Sequence, residues 1–468
     1  MFDKNTYILR RRALLEALKG EKGVAVFFGN TESPAQYADN CYKWRQDSTW
    51  LYYFGIDEPR LAATIDLESG QETLYGDDCS LDDIIWNGPT PSTADLAALA
   101  GIAHSAPYDA IGPATRGRKL HFVPASRPDN ALRIAALTGL APAAILHQDK
   151  NGAPAASLPL VKAIAAQRLI KSEEEIALLD EACVLGQQMH TIARKGVKTG
   201  TIEQQIVGDM EGFALAKGWG VSFPTILTQH GEIFHCHSHA QAIEPGKLVL
   251  IDAGLESNEH YASDFTRTYP ASGRYTQKQR DICQLVCDCN NLAFSLTAPG
   301  VAYRDVHIAT VTHMLGGLKE LGLVCGDPAE MAAEGLGGLF MPHGLGHNMG
   351  LDVHDCEDLG ENILGYDDDQ RRSSQLGLGS LRMARRLKPG NVITDEPGIY
   401  FIPALIEQWK ASGMGAGQIC YDKLESYYDF GGIRIEDDVL VTESGARRLG
   451  GERLPASPDE IENAMSNE

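Results

Sequence analysis

The sequence predicts an α/β layer domain at the amino terminus, followed by a larger domain of long helices and acid-ended strands. Three observations carry that expectation. The chain has 468 residues, more than one hydrophobic core ordinarily spans. Up to about residue 165, short apolar runs alternate with helical patterns and with turns rich in Pro and Gly, as in an α/β layer. At 165–176 a new helix start appears, with Ser172 and Glu175 at capping-box spacing. The expected boundaries are therefore 1–165 and 166–468.

Composition narrows the class. Hydrophobic content of 43% and charged content of 22% are those of a soluble globular chain. A net charge of −22 argues against a nucleic-acid groove or an anionic membrane surface, and it supplies carboxylates for hard cations. The ten cysteines form no Cys-x-x-Cys pair. Cys283, Cys287 and Cys289 fall on an expected helix and read as buried free thiols. Glu16 and Lys19 interrupt the apolar stretch after Arg10-Arg11-Arg12, so it makes a poor signal peptide. No apolar run approaches the ~18 residues of a membrane span. The expected location is the cytoplasm, with reduced thiols.

In the first domain, 7–18 has a helical pattern with Ile8, Leu14, Leu15 and Leu18 near one face. Val24-Ala25-Val26-Phe27-Phe28 reads as a buried strand. The aromatic stretch 42–54 reads as a packed corner, with a lid over a neighbouring site as the alternative. Short apolar runs follow at 61–65, 121–123 and 143–146, with a helix at 93–100.

In the second domain, helices are expected at 172–195, 201–217, 276–296 and 306–321. A strand at 223–227 leads into His235, His237 and His239, which would share one face of an extended chain. No thiolate or carboxylate stands at a diagnostic spacing for a separate zinc site there. The strand 247–254 runs into Asp252, and the chain returns as an alternating strand at 261–268 carrying Asp264. Two such aspartates can face each other across a hairpin. Burying them without a cation raises a carboxylate pKa, so a metal competes here with plain turn aspartates. The stretch 343–355 holds His343, His347, His354 and three glycines. Gly344, Gly346 and Gly350 cost a helix about 1 kcal/mol each against alanine, so a loop holding imidazoles around a metal or substrate fits better. Glu396 follows another apolar strand, and 431–441 alternates, with Arg434, Glu436 and Asp438 on one face. Arg434 and Glu436 can also form a simple ion pair.

These segments, Asp252-Ala253-Gly254, 263–268, 343–354, Glu396-Pro397-Gly398 and 434–438, resemble in order the motifs of the pita-bread metallopeptidases. The proline-specific branch, prolidase and aminopeptidase P, is the most similar; Trp44 to Thr49 resembles its amino-terminal domain less specifically. The resemblance implies an α+β fold, with a pita-bread catalytic domain preceded by an α/β domain, and hydrolysis of Xaa-Pro bonds. It implies two divalent metals, usually Mn2+, with Co2+ or Zn2+ able to substitute. Asp252 would bind one metal, Asp264 and Glu436 would bridge both, and His347 and Glu396 would complete the second. Four carboxylates offset two dications, and a shell with one histidine suits manganese. By the same resemblance Glu396 would shuttle a proton. His354 would stabilise the oxyanion or hold substrate, and His235 would bind substrate. His343 would support the catalytic set, and Arg434 would orient ligands and bound substrate. A homodimer is implied too.

Three features depart from the family pattern. Asp252 and Asp264 are one position further apart than usual, which a bulge near 256–260 would absorb. Asp395 replaces a small or apolar residue. The histidine run blurs the alignment around His235. Arg382, in a segment resembling prolidases, would bind the free carboxylate of a dipeptide; the alternative is a basic surface helix facing Asp367 to Asp369. Dipeptides ending in proline are therefore the expected substrates, with aminopeptidase P activity on longer peptides as the alternative. A silent binding protein of the same fold is a third reading.

Overall fold

The computed structural model describes residues 2–466, which divide into two compact units. Residues up to 168 form the first, joined by 356–364 from later in the chain; 169–355 and everything from 365 onward form the second.

In the first unit, α1 (Lys4–Ala17) precedes β1 (Val24–Phe28), α2 (Ser48–Phe54), β2 (Ala62–Asp66), β3 (Glu72–Tyr75) and α3 (Leu81–Asn87). Then come α4 (Thr93–Leu99), β4 (His104–Ala106), α5 (Ile111–Thr115), β5 (Leu120–His121), α6 (Pro128–Thr138) and α7 (Leu158–Arg168). The strands form one sheet in the order β4-β3-β2-β1-β5, with the two edge pairings parallel and the inner two antiparallel. The aromatic stretch packs as a corner only from Gln46 onward, while Tyr42 is exposed. Asp47 caps α2 by accepting from the Trp50 backbone N–H, and Trp50, Tyr52, Tyr53 and Phe54 are buried. Arg11 is buried as well. It donates to the carbonyls of Tyr53 and Ala100 and pairs with Glu72, so its charge is held inside the fold. The run at 143–146 is no strand: 142–144 forms a 3-10 turn that begins at Pro142.

The second unit opens with α8 (Glu173–Gly196), whose Ser172/Glu175 capping box forms as its spacing predicts. It continues with α9 (Glu203–Lys217), β6 (Gly220–Val221), β7 (Ile226–Thr228), β8 (Leu248–Ala253), β9 (Leu255–Glu256), β10 (Phe265–Pro270), α10 (Gln277–Leu296) and α11 (Tyr303–Glu320). The strands β11 (Val392–Asp395), β12 (Gly398–Tyr400), β13 (Gly432–Arg434), β14 (Asp437–Val441) and β15 (Ala446–Arg448) complete the site-bearing part. All their pairings are antiparallel: β10-β8-β7, β11-β14-β15, β12-β13 and β6-β9. This is the α+β domain expected behind an α/β one. Cys283, Cys287 and Cys289 lie buried on α10, and burial pushes the Cys283 thiol up to about 12. Among the described residues no helix is long and apolar enough to cross a membrane.

Candidate metal centre and substrate cavity

Register brings the acids together. Across β7-β8-β10, Ile226, Asp252 and Thr266 are directly paired, so their side chains share one face. Asp252 therefore faces Thr266 and not Asp264, which lies one residue before β10. Between Asp252 and Asp264 the chain detours through β9 and a turn at 257–260, where His260 takes a left-handed φ of 68°. Glu436 falls between β13 and β14. It is bridged to Thr266 and held by the Arg267 guanidinium, which donates to its carbonyl at 2.8 Å.

The 343–355 stretch contains no helix and is pinned along β11. The His347 backbone N–H donates to Thr394 Oγ1 (3.1 Å), and the Thr394 N–H donates to the His347 carbonyl (3.0 Å). Only glycine fits at 346, because a Cβ there would lie 2.1 Å from the Thr394 oxygen. Gly344 and Gly346 thus serve close approach of backbones, and Gly350 makes room for the Asp355 side chain.

A cavity of about 510 Å³ opens over these strands. It is lined by every residue given a metal, catalytic or substrate role above: Asp252, Asp264, His347, Glu396, Glu436, His235, His343, His354, Arg382 and Arg434. Within it, one donor atom each from Asp264, His347 and Glu436 lies within 4.8 Å of the others, all three residues being buried. Asp252 and Glu396 border the same cavity outside that tight triad. His347 Nδ1 lies 3.2 Å from the Asn348 carbonyl, which makes it the protonated nitrogen and turns the Nε2 lone pair toward Asp264 Oδ2, 3.5 Å away. Burial, then the charges of Glu436 and Asp252, hold the Asp264 pKa well above the carboxylate range. Burial, then Glu396 and Asp252, do the same to Glu436. Oδ1 of Asp252 and of Asp264 are buried without a hydrogen-bond donor. Crowded, desolvated carboxylates with unclaimed lone pairs and one imidazole form a donor set that a hard divalent cation satisfies.

Around this set the partners differ from sequence expectation. Arg434 pairs with Asp252, not Glu436: Nη2 donates to Asp252 Oδ2 at 2.5 Å, Nε to Thr266 Oγ1, and Nη1 to the Tyr400 hydroxyl at 2.7 Å. Thr266 in turn donates to Glu436 Oε2 at 2.6 Å. The Tyr400 hydroxyl lies 2.9 Å from His343 Nε2, and His343 Nδ1 lies 2.8 Å from the Gly344 carbonyl. An Nδ1-protonated ring satisfies both contacts, accepting from Tyr400. Burial and the Arg434 charge push the His343 pKa down to about 3, keeping it neutral. Tyr400 and Thr266 were in view in the sequence but carried no distinguishing pattern; only the register shows what they join.

The histidine run is not a strand: His235 and His237 stack with centroids 6.4 Å apart, and only His239 parts from them. His239 is buried on the Leu227 carbonyl, while His235 and His237 are exposed at the cavity wall. Arg382 lies on no helix. It follows a 3-10 turn at 378–380 and turns inward, with Nη1 2.5 Å from His354 Nδ1. Arg385 and Arg386 take up Asp367 and Asp369 instead. Burial and then the Arg382 charge hold His354 well below its ordinary pKa. Phe223, Pro224, Ile226 and Phe234 complete an apolar wall that sequence reading did not assign.

A carboxylate-rich centre with one imidazole, set in an antiparallel scaffold beneath a cavity with a guanidinium at its wall, defines a metal-dependent hydrolase. Residues 177–443 match metallopeptidase family M24, and 7–117 match the aminopeptidase P amino-terminal domain; the chain belongs to family M24, with its pita-bread catalytic domain. It is 30% identical to the human (Homo sapiens) Xaa-Pro dipeptidase, over 98% of this chain and 93% of that one. It is 31% identical to a probable Xaa-Pro aminopeptidase pepP of Botryotinia fuckeliana (strain B05.10), over 88% and 85%. Among solved structures, proline aminopeptidase P II from Yersinia pestis superposes with a TM-score of 0.79 at 28% identity, covering all of both chains. Aminopeptidase PepP of Pseudomonas aeruginosa gives 0.77 at 27%, covering 100% and 98%.

Proposed function

We propose that the protein is a two-metal exopeptidase that cleaves Xaa-Pro dipeptides. The observation that carries the reading is Arg382, turned into the cavity beside His354 at hydrogen-bond distance. A guanidinium there suits the carboxylate that only a dipeptide presents one residue beyond the cut. Asp252, Asp264, His347, Glu396 and Glu436 hold the ions, manganese in preference, since the set is rich in carboxylates. When bound, divalent ions supply Lewis-acid activation of water and of the scissile carbonyl.

Glu396 takes the proton of the attacking water and delivers it to the departing proline nitrogen. His354, neutral and braced by Arg382, donates to the oxygen that gains charge. His235 at the rim holds the substrate. His343 supports the set through Tyr400 and Arg434, and Arg434 keeps Asp252 in position while facing bound substrate.

Cytoplasmic residence fits ten free cysteines. Self-association as a homodimer fits an exposed apolar face on α3, where Leu81, Ile85 and Trp86 are 74%, 67% and 78% accessible. The net charge of −22 disfavours nucleic acid as a partner.

The second reading is an aminopeptidase P acting on longer peptides. The full-length superposition on aminopeptidase P structures favours it. Cleavage of Xaa-Pro against Xaa-Pro-Xaa, with and without manganese, separates the two. Faster hydrolysis of the dipeptide supports the first reading, and preference for the tripeptide overturns it. Failure of the manganese-loaded protein to retain any divalent ion would leave only a silent binding protein.

A further inference from the structure

The loop bearing His347 and His354 folds back so that the two rings stack, centroids 3.8 Å apart and planes 17° from parallel. The residues just beyond each ring, Asn348 and Asp355, close the loop base: the Asp355 N–H donates to the Asn348 carbonyl at 3.0 Å. Gly350 sits so near that a Cβ would lie 2.4 Å from Asp355 Oδ2.

Lys171 inserts at this base, its side chain 1% exposed beside an Asp355 side chain that is 2% exposed. Its ammonium donates to Asp355 Oδ2 at 3.1 Å. With the Asn348 amide oxygen turned toward it, the ammonium also donates there at 3.3 Å, while the amide nitrogen donates to the Val392 carbonyl at 3.2 Å. Lys171 is itself fixed, because its backbone N–H donates to the Gly390 carbonyl and the next residue caps α8.

A buried ion pair is poor evidence of stabilisation, since an apolar pair of the same volume often serves as well. An apolar pair, however, makes no directed bonds to two separate points of a loop. We propose that Lys171, with Asp355, is a positioning pair for catalysis. It ties the residues after His347 and after His354 to one ammonium, and so sets the His354 imidazole at a fixed offset from the metal-binding His347. This rests on the role given to His354 above.

The test is a cycle between the pair and His354, in the manganese-loaded full chain with an Xaa-Pro dipeptide. Lys171→Met combined with Asp355→Leu removes the pair without leaving a lone buried charge. The expected result is a kcat at least about tenfold lower, with KM within about threefold, and with metal content and melting temperature near those of the parent. In a His354→Ala background the same two substitutions are expected to lower kcat by less than about twofold, because the ring they position is gone. Lys171→Gln combined with Asp355→Asn, which keeps size and polarity and removes both charges, supplies a milder cycle with the same reading. Losses that multiply independently in the two backgrounds, or an unchanged kcat in the folded double variant, overturn the proposal and leave the role of His354 intact. A His354→Ala variant with parental kcat overturns the role of His354, and the proposal with it.

Discussion

Removing the metal is expected to make stability depend on pH in a way that the loaded protein does not share. Asp264 and Glu436 are held well above their ordinary pKa values by burial and by neighbouring carboxylates. An acid whose folded-state pKa is raised binds its proton more tightly folded than unfolded. Its contribution is complete below the unfolded value and is lost as pH climbs toward the folded one. The metal-free protein therefore weakens with rising pH, by about 1.4 kcal/mol per pH unit for each proton retained. Each proton that the crowded pair keeps from pH 5.5 to 7.5 corresponds to a loss on the order of 3 kcal/mol. Bound dications hold both groups ionised and remove that loss, so binding releases the proton. The buried histidines His190 and His307, each pushed down to about 4 by burial, stay neutral over this interval in the folded protein, so their contribution cancels. At about 2–4 °C per kcal/mol, the gap in melting temperature between loaded and chelated protein should widen over that interval by on the order of 10 °C for each proton kept. Calorimetric scans with and without chelator measure it. A gap that is constant or narrower at pH 7.5 refutes the assignment of retained protons to this cluster.

Other substitutions probe separate parts of the molecule. Gly346→Ala forces a Cβ against the Thr394 carbonyl and should displace His347; metal content by elemental analysis should fall along with activity. Arg382→Ala should raise KM for Xaa-Pro dipeptides by about tenfold or more, the worth of a hydrogen bond to a charged group, and move tripeptide KM far less; equal effects in steady-state kinetics would remove Arg382 from carboxylate recognition. Trp50→Ala, at a side chain with no exposed surface, should cost the first unit about 3–5 kcal/mol in denaturant unfolding.

Local chemistry was legible in the sequence. Capping boxes, apolar runs and helical periodicity mark α8, α10, β1 and β8, because each depends on residues a few positions apart. So does the nature of the centre: acids that end apolar strands and a glycine-shaped histidine loop already restrict the chemistry to hard cations and imidazole. Parity along a strand was less dependable. It put His235, His237 and His239 on one face, but the chain there forms no strand; His235 and His237 stack, while a hydrogen bond to Leu227 buries His239.

Partner choice was decided only by the tertiary structure. Arg434 stands two residues from Glu436, yet it binds Asp252, 182 positions away. Tyr400 joins Arg434 to His343, and Lys171 reaches Asp355 across 184 residues. A buried charge takes the partner whose geometry best repays its desolvation. That geometry exists only once β8, β10 and β13 are in register and the loop is closed, so residue types foretell a metal centre while the strand pairing selects which groups hold it in place.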